Sequence, residues 1–305
     1  MKTWLKWTLR VLLALVVIGG AAYWWLLMQS GAPDGKYRID LAAVRDLAGS
    51  MPGVAPTEIR AEHIATLSFP AVAITAGDGW DIVDMPVYAY QLVYPDGTAI
   101  IDTAFDDKAA AASNAKWFDG SAYDRLIAAM TDARFIVVTH EHMDHIGGLI
   151  AHPEVKAILP NAVLNPQQAR DVEGMFTAIT WPAGALSGYT ATDYAPYHAV
   201  APGVVLIRSP GHTEGSQIVY VRIASGREYL FIGDVAWKRR NIDLVRERAR
   251  LVTLLMGEDR SLVLDELAEL NRLAAADPDL AIVPGHDGPV IDALISSGAL
   301  TMGFR

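Results

Sequence analysis

Four potential metal ligands occur within six consecutive positions of the sequence: His140, His142, Asp144 and His145. Imidazole is the commonest metal ligand in proteins, and carboxylates join it in hard or borderline sites such as those for zinc. One histidine alone is more often an ordinary surface or core residue, but a cluster of this density is not. The segment therefore predicts a metal site, with His140 and His142 directed at one ion and Asp144 and His145 at a second.

Three further candidate ligands each follow an apolar run and a glycine. His212 comes after Gly211, Asp234 after Gly233, and His286 after Gly285. A glycine lets the backbone turn sharply and approach an ion closely. Each of these segments alone is typical of an ordinary turn, so their meaning depends on their combination with the histidine cluster.

Apolar, β-branched runs precede all of these candidate ligands, which indicates that strands position them. The predicted strands cover residues 135–138, 204–207, 229–232 and 280–283. Other predicted elements are a helix from Leu41 to Met51, a hairpin of residues 87–94 and 98–102, a helix with a capping box at residues 121–124, strands at 155–159 and 218–223, and a helix at 262–276. Hairpins interleaved with helices predict one α/β domain over residues 37–305.

The N-terminus has a different composition from the rest of the chain. Lys2, Lys6 and Arg10 precede the uncharged residues 11–28, which are long enough to span a bilayer. We predict a cytoplasmic tail at residues 1–10, a transmembrane anchor at 11–28 in the inner (cytoplasmic) membrane, a linker at 29–36 and an extracytoplasmic domain. The alternative is a cleaved signal peptide, since small residues follow Ile18, and this would give a secreted or periplasmic protein.

Composition excludes several classes of protein and site. The 305 residues include 25 basic and 35 acidic side chains, giving a net charge of −10, so nucleic acid is not an expected partner. Apolar residues make up 52 % of the chain, which permits a large core. Because the sequence contains no cysteine, any metal must be held by histidine, aspartate or glutamate.

The ordered set of ligand motifs, from His140-Glu141-His142-Met143-Asp144-His145 to His286, resembles the metallo-β-lactamase fold superfamily, and specifically its lactonase and glyoxalase II branch. The resemblance covers roughly residues 69–288. It implies a four-layered αββα sandwich with two divalent metal ions, most simply zinc, at one edge. In this chain the sandwich is expected to follow the N-terminal transmembrane helix.

The resemblance also implies a role for each ligand. His140, His142 and His212 would hold the first metal, Asp144, His145 and His286 the second, and Asp234 would bridge them. Two such ions can lower the pKa of a bridging water towards neutrality and so supply hydroxide. Asp102 follows a predicted strand. Many members of the superfamily have an aspartate at this position that braces the metal site, and the alternative is an aspartate that caps a turn.

Differences from known branches narrow the expected reaction. Flavodiiron oxygen reductases usually carry glutamate where this chain has His142, and several β-lactamase types use a cysteine. Three-histidine β-lactamases lack the bridging carboxylate, and the thioester substrate of glyoxalase II is cytoplasmic. A small-molecule carboxylic ester or lactone is therefore the expected substrate. The alternatives are phosphodiester hydrolysis, favoured by the basic stretch from Lys238 to Arg250, β-lactam hydrolysis, or a catalytically silent metal-binding protein.

Four residues are predicted to act on the substrate. Asp144 is the expected proton shuttle to the leaving oxygen. Related lactonases often have tyrosine three residues after the bridging aspartate, whereas this chain has Trp237, so an apolar pocket is expected there. Trp181 and Tyr194 belong to an aromatic, proline-rich segment, residues 181–203, that could cover the metals and bind an apolar group. A surface loop with its own small core is the other interpretation of that segment.

Overall fold

The fold is described from a computed structural model, which covers residues 3–172 and 179–305. Two β-sheets pack face to face, and helices cover both outer faces. The predicted αββα sandwich is therefore confirmed. The hairpin predicted around Pro95-Asp96-Gly97 is also present, because β2 and β3 pair in antiparallel fashion with Tyr90 opposite Ile101.

The first sheet has the strand order β11-β1-β2-β3-β5, with β4 paired to β1, and the second has the order β10-β9-β8-β7-β6. The strands are β1 (Glu58–Pro70), β2 (Ile82–Tyr94), β3 (Gly97–Ile101), β4 (Trp117–Phe118), β5 (Ala133–Val137), β6 (Tyr197–Ala201), β7 (Val204–Arg208), β8 (Gln217–Arg222), β9 (Glu228–Phe231), β10 (Ala281–Val283) and β11 (Thr301–Met302).

The helices lie mostly between strands in the chain and on the outer faces of the sheets. They are α1 (Thr3–Tyr23), α2 (Leu41–Ala48), α3 (Ala71–Ile74), α4 (Asp107–Ala112), α5 (Gly120–Thr131), α6 (Met143–Ala151), α7 (Val155–Ile158), α8 (Arg239–Leu244), α9 (Arg250–Met256), α10 (Arg260–Ala276) and α11 (Gly288–Ser296).

Alternation of side chains along the strands builds three stacked apolar layers. In β7, Val204 and Leu206 point into the layer between the two sheets. Val205 and Ile207 point the other way, onto α2 and α10. The outer face of the first sheet packs against α5, α6 and α7 through a separate cluster. Each fully buried aliphatic side chain contributes roughly 1.5–3 kcal/mol, so these layers fix the strand register.

Two sequence-based expectations about local structure were wrong. Residues 155–159 form helix α7 and a 3-10 turn rather than a strand, because Val155, Ile158 and Leu159 are buried while Lys156 is exposed, which is helical spacing. Helix α5 is capped by Asp119, whose carboxylate accepts hydrogen bonds from the Ser121 and Ala122 backbone amides. The expected capping box at residues 121–124 lies inside the helix.

The N-terminal segment forms one apolar helix whose side chains are not buried in the domain. Helix α1 continues as a π-helical turn, Trp24–Met28, and together they are long and apolar enough to cross a membrane. A signal sequence has the same properties. Residues 29–36 contain neither helix nor strand, as a linker would, but they are hydrogen-bonded to the domain: the Ser30 hydroxyl donates to Glu247 at 2.6 Å.

Candidate metal centre

The candidate ligands meet because several strands end at the same edge of the sandwich. Strand β5 runs parallel to β3, and β10 runs parallel to β9. Strands β7 and β9 share a direction, since both are antiparallel to β8. The segments that follow β3, β5, β7, β9 and β10 therefore lie together at one edge of the sandwich, as the sequence pattern predicted.

Seven side chains form two groups at this edge, and within each group the potential ligand atoms lie within 4.8 Å of one another. The first group is His140, His142, His212 and Asp234, and the second is Asp144, His145 and His286. All are buried except Asp144, whose side chain is 19 % exposed. The two groups have the same members as the two ligand sets expected from the sequence.

Asp234 lies between the groups and turns one carboxylate oxygen towards each. Its Oδ2 is 3.8 Å from His140 Nε2 and 3.5 Å from His212 Nε2. Its Oδ1 is 3.3 Å from His145 Nε2 and 3.2 Å from His286 Nε2. Such an arrangement is what a carboxylate shared by two cations requires.

Hydrogen bonds at Nδ1 orient three of the histidines so that Nε2 faces the centre. The acceptors are Asp102 for His145, at 2.8 Å, Glu258 for His212, at 2.6 Å, and the Pro86 carbonyl for His286, at 3.0 Å. A proton held at Nδ1 leaves the lone pair of Nε2 free to bind a metal. These acceptors therefore fix the tautomer that ligation needs.

The buried polar atoms at the centre fit a pair of cations. His140 Nε2, His145 Nε2 and Asp234 Oδ1 have no hydrogen-bond partner among the described residues. His142 Nδ1 and His212 Nε2 face each other at 2.9 Å. Burial of unpaired polar atoms costs roughly 1–3 kcal/mol each, and a shared cation removes this cost. Borderline nitrogen and oxygen donors of this kind suit divalent ions such as zinc.

The pKa values of three buried histidines at the site are shifted, in two different directions. Burial, followed by neighbouring histidines, lowers the pKa of His140 and of His142 well below the usual range. Burial also opposes the charged form of His145, but Asp102 and the other nearby carboxylates outweigh it and raise the pKa of His145. Burial disfavours ionised Asp234, yet His286 and His145 hold its pKa well below the usual range.

Asp102 occupies the bracing position that the sequence left open. It has a left-handed backbone conformation, with φ of 59°, which is uncommon outside glycine. Besides contacting His145, its carboxylate accepts hydrogen bonds from the Thr139 amide at 2.6 Å and from the Thr139 hydroxyl at 3.0 Å. The carboxylate thus joins the end of β3 to the loop that begins the histidine cluster.

Two residues of the site were missed by the sequence analysis. Glu258 accepts a hydrogen bond from His212 and forms a buried ion pair with Arg248 at 2.6 Å. Arg248 also donates to the Asp234 backbone carbonyl at 2.8 Å. Arg248 had been placed in a basic stretch, and Glu258 follows no motif. The two residues flank α9, and the packing of this helix on the cluster that contains Trp237 brings them to the site.

Gly285 and Gly148 permit close approaches that no other residue could make. A Cβ atom on Gly285 would collide with Asp234 Oδ1, and one on Gly148 would collide with the Thr103 carbonyl. The glycine before His286 is therefore required by the space that the shared carboxylate occupies. Gly148 lets α6, which carries Asp144 and His145, pack directly on the end of β3.

The three aromatic residues expected to bind substrate occupy different places. Trp237 is buried, and its indole N–H donates to Asp234 Oδ2 at 2.6 Å. Trp181 lies in the core beneath the first sheet. The Tyr194 hydroxyl donates to Gln217 at 2.5 Å. Of the three, Trp237 is the one that the structure links directly to the ligand group, and the substrate roles of Trp181 and Tyr194 stay predictions.

The basic stretch after Trp237 is engaged in contacts of its own. Arg240 pairs with Asp78 at 2.6 Å, and Arg239 pairs with Asp243 at 2.7 Å. The Lys238 ammonium donates to the backbone carbonyls of Asp84 and His286, at 2.7 and 2.6 Å. These contacts give the stretch a structural role and reduce the positive charge available to a phosphate.

Glu266, on α10, gives a prediction about stability. It is buried and accepts a hydrogen bond from the Gly211 amide at 3.1 Å, and burial raises its pKa to about 8. Glu266 is therefore neutral in the folded state but ionised in the unfolded state between about pH 4.5 and 8. Stability should fall with rising pH across this window by up to about 1.4 kcal/mol per pH unit. Glu266→Gln should remove this slope in thermal unfolding from pH 5 to 9.

Glu269, one turn later on α10, is a matched control of opposite sign. Burial disfavours its ionised form, but Arg272 and the Ile39 amide lower its pKa below the usual range. Ionised Glu269 therefore stabilises the folded state at neutral pH, and this contribution to the free energy of unfolding is lost on acidification. Glu269→Gln should therefore destabilise the protein most at neutral pH. If Glu266→Gln unfolded with the same pH dependence as the unmodified protein, Glu266 would not be a neutral buried acid.

Comparison with known proteins agrees with this geometry. The family described as the metallo-beta-lactamase superfamily matches residues 82–286, so the chain belongs to that superfamily. A probable metallo-hydrolase of Mycobacterium tuberculosis is 30 % identical over 174 residues, which cover 52 % of this chain and 56 % of that protein. The matched part thus spans little more than half the length of this relative.

Lactonases are also among the similar proteins. An N-acyl homoserine lactonase of a Bacillus species is 23 % identical over 225 residues, covering 68 % of this chain and 83 % of that enzyme. A solved N-acyl homoserine lactone hydrolase, with N-hexanoyl-L-homoserine bound at its catalytic metal centre, superposes with a TM-score of 0.62. The identity is 16 %, and the match covers 79 % of this chain and 97 % of that one. At this identity the structural likeness establishes the fold.

Proposed function

We propose that the chain is a membrane-anchored, dinuclear metallohydrolase that opens a carboxylic ester or a lactone. The observation that carries the proposal is the position of Asp234, which presents one carboxylate oxygen to each of two groups of ligand atoms. One carboxylate placed in this way can hold two ions at the short separation that a dinuclear hydrolase uses.

In this proposal His140, His142 and His212 hold one ion, Asp144, His145 and His286 hold the other, and Asp234 is shared. Zinc is the expected metal, because histidine and carboxylate donors without thiolate suit it. Bound divalent ions would polarise the scissile carbonyl and activate water. The protein itself supplies the orientation of the ligands, through Asp102 and Glu258, and excludes bulk water by burial.

Asp144 is the residue proposed to move protons. It lies 3.4 Å from His286 Nε2 and is the most exposed member of the ligand groups, so it faces the space that a substrate would enter. A carboxylate there can accept the proton of the attacking water and deliver it to the leaving alkoxide oxygen. The carbon–oxygen bond of the ester then breaks without a free alkoxide, and the carboxylate is regenerated.

Lactones and activated esters are preferred to phosphodiesters for three reasons. The relatives include lactonases, and the Lys238 to Arg240 stretch, which favoured a phosphate, is engaged in ion pairs and backbone contacts. Trp237 stacks on Phe69 with ring centroids 5.7 Å apart, which provides an apolar wall beside the site. Substrates with an apolar acyl or aryl part suit this wall.

The proposed location is the inner membrane, with the tail at residues 1–10 in the cytoplasm and the domain on the other side. Lys6 and Arg10 precede the apolar helix, which favours this orientation. A reporter fused after Arg305 should be active only outside the cytoplasm. Carbonate-resistant membrane association of the full chain would distinguish an anchor from a cleaved signal.

The experiment that tests the chemistry is a hydrolysis screen on one zinc-loaded preparation. We expect turnover of lactones and aryl esters, and far lower turnover of a bis-aryl phosphate and a chromogenic cephalosporin. Elemental analysis of the same sample should give about two ions per chain. Preferential turnover of the phosphate would instead support the phosphodiesterase alternative, and two bound ions without any turnover would support the silent metal-binding protein.

Trp237→Phe should separate the two contacts that this residue makes. Phenylalanine keeps an aromatic ring beside Phe69 but removes the N–H that Asp234 Oδ2 accepts. Loss of a bond that orients a ligand typically weakens metal affinity or activity by about tenfold or more. We expect such a loss with little change in KM for an apolar lactone, whereas Trp237→Ala should raise KM as well. Metal titration and steady-state kinetics on both variants would check this.

A further inference from the structure

Five exposed apolar side chains lie in the two segments that contact the end of the apolar helix, residues 80–82 and α9. Trp80 is 58 % exposed and Ile82 is 68 % exposed, and Leu251, Leu254 and Leu255 on α9 are 39, 61 and 46 % exposed. We call these five residues the apolar rim. Large exposed apolar groups gathered in one region mark interaction surfaces more often than isolated ones do.

The rim is continuous with the end of the apolar helix. The ring of Tyr23 stacks on Trp80 with centroids 6.5 Å apart, and the Trp80 indole N–H donates to the Tyr23 hydroxyl at 3.2 Å. On the other side, the guanidinium of Arg250, the first residue of α9, lies 4.6 Å from the ring centre of Trp25. Aromatic residues at this end of a spanning helix lie at the level of the lipid headgroups.

Hydrogen bonds hold the end of the helix firmly against the domain. The Gly77 amide donates to the Leu27 carbonyl at 2.9 Å, and the Gly31 amide donates to Glu247 at 3.0 Å. Arg250 donates to the Gln29 side chain at 2.6 Å. A helix attached in this way cannot serve as a loose tether. Once it spans a bilayer, the rim beside it is kept at the lipid surface.

Only one short helix separates the rim from the metal centre. Leu251, Leu254 and Leu255 have the i, i+3, i+4 spacing of one helical face and point outward. On the inner side of α9, Val252 and Met256 pack against the cluster that contains Trp237. The Trp237 side chain in turn contacts Asp234. The neighbourhood of the metal centre therefore lies close to the surface that would face lipid.

We propose that the apolar rim seats the catalytic domain on the lipid bilayer, so that the enzyme takes lactones or esters with long acyl chains from the lipid phase. This inference rests on the proposed hydrolase function. Apolar burial would provide the binding energy, because the chain carries a net charge of −10 and Arg240 is paired with Asp78. Binding should accordingly need no anionic lipid and be insensitive to salt.

The first test measures seating in the full chain reconstituted in phosphatidylcholine vesicles. Because the sequence has no cysteine, single nitroxide labels can be attached at Leu254→Cys and, as a matched control, at Val54→Cys. Val54 is 58 % exposed. Its neighbour Gly53 lies beside Pro202, just before β7 begins, whereas His212 follows the other end of that strand. The control label is therefore remote from the metal centre. We expect the label at position 254 to be accessible to oxygen but protected from an aqueous nickel chelate, and the label at position 54 to be open to the chelate.

Equal access of the chelate to both labels would overturn the inference. Protection at position 254 that disappears when the protein is diluted in excess lipid would assign the rim to a second copy of the chain and would overturn it too. Protection that persists on dilution and at high salt supports seating on lipid.

The second test measures the supply of substrate. Leu254→Glu combined with Leu255→Glu should lower kcat/KM about tenfold for N-decanoyl homoserine lactone presented in vesicles, because two charges oppose burial in the interface. The same variant should hydrolyse the soluble N-butanoyl lactone as the unmodified protein does, and Val54→Glu should affect neither substrate. An unchanged rate on the decanoyl lactone, or an equal loss on both lactones, would overturn the inference. If the unmodified protein opened neither lactone, the proposed function would fail, while the label measurements would still decide the seating.

Discussion

Replacing Asp234 with asparagine should reduce the metal content of the purified protein from about two ions per chain to one or none. Asparagine has nearly the same shape but presents one neutral oxygen in place of two charged ones. In the unmodified protein Oδ1 and Oδ2 of Asp234 each face a separate histidine pair, so the substitution removes the shared charge from both ion positions. We expect kcat/KM to fall by about 10³-fold or more, which corresponds to ~4 kcal/mol of lost transition-state stabilisation.

The matched control for this change is Asp265→Asn. Asp265 is also a buried aspartate, but it accepts backbone hydrogen bonds from Gly35 and Lys36 at 2.7 and 2.9 Å and belongs to neither ligand group. Its variant should lose stability and keep two ions per chain. Elemental analysis and lactone kinetics on both variants would decide the matter. A fully active Asp234→Asn protein, or an unmodified protein fully active with one ion, would refute the dinuclear proposal.

Replacing Asp144 with asparagine should remove most of kcat while leaving the fold intact. Asp144 is partly exposed at the N-terminal turn of α6, so the change leaves the buried core untouched. General acid–base groups typically contribute about 10²–10⁴-fold to a rate, and we expect a loss in this range. Some affinity for the second metal should be lost too, so the assay must be run at saturating zinc with the metal content measured.

The leaving group separates proton transfer from simple loss of metal. The phenolate of an activated aryl ester leaves readily without a proton, whereas the alkoxide of an alkyl ester or lactone needs one. Asp144→Asn should therefore be far more harmful to lactone opening than to aryl ester hydrolysis. A uniform loss on both substrates, in proportion to the missing metal, would show that Asp144 acts as a ligand alone.

Sequence patterns alone identified the residues of the candidate metal centre and their order along the chain. The cluster from His140 to His145 is so dense in ligands that local chemistry allows few other uses. Each later ligand comes after an apolar strand and a glycine, as Gly285 and His286 illustrate. Strand and turn signals of this kind are local, so they can be recognised without knowledge of the fold. The two-sheet sandwich was implied by the resemblance of the ordered motifs to the superfamily, and the structure confirms it.

Local signals failed where packing selects between two conformations. Val155 and Ile158 are β-branched, which suits a strand, but residues 155–159 are helical because Val155, Ile158 and Leu159 are buried while Lys156 is exposed. Strand β1 was not predicted, although it is among the longest in the first sheet. Its register is set by pairing with the next strand, β2, and the sequence of β1 alone does not specify this contact.

The surroundings of the candidate ligands depend on packing between distant segments, which sequence patterns do not show. The sequence left the role of Asp102 undecided between bracing the site and capping a turn. Its contact with His145 depends on how β3 lies beside β5. Arg248 and Glu258 flank α9 in the chain, and they reach Asp234 and His212 because that helix packs on the cluster that contains Trp237. A ligand motif is fixed by the chemistry of adjacent residues, whereas its supporting hydrogen bonds and the apolar rim arise from segments far apart in sequence that folding brings together.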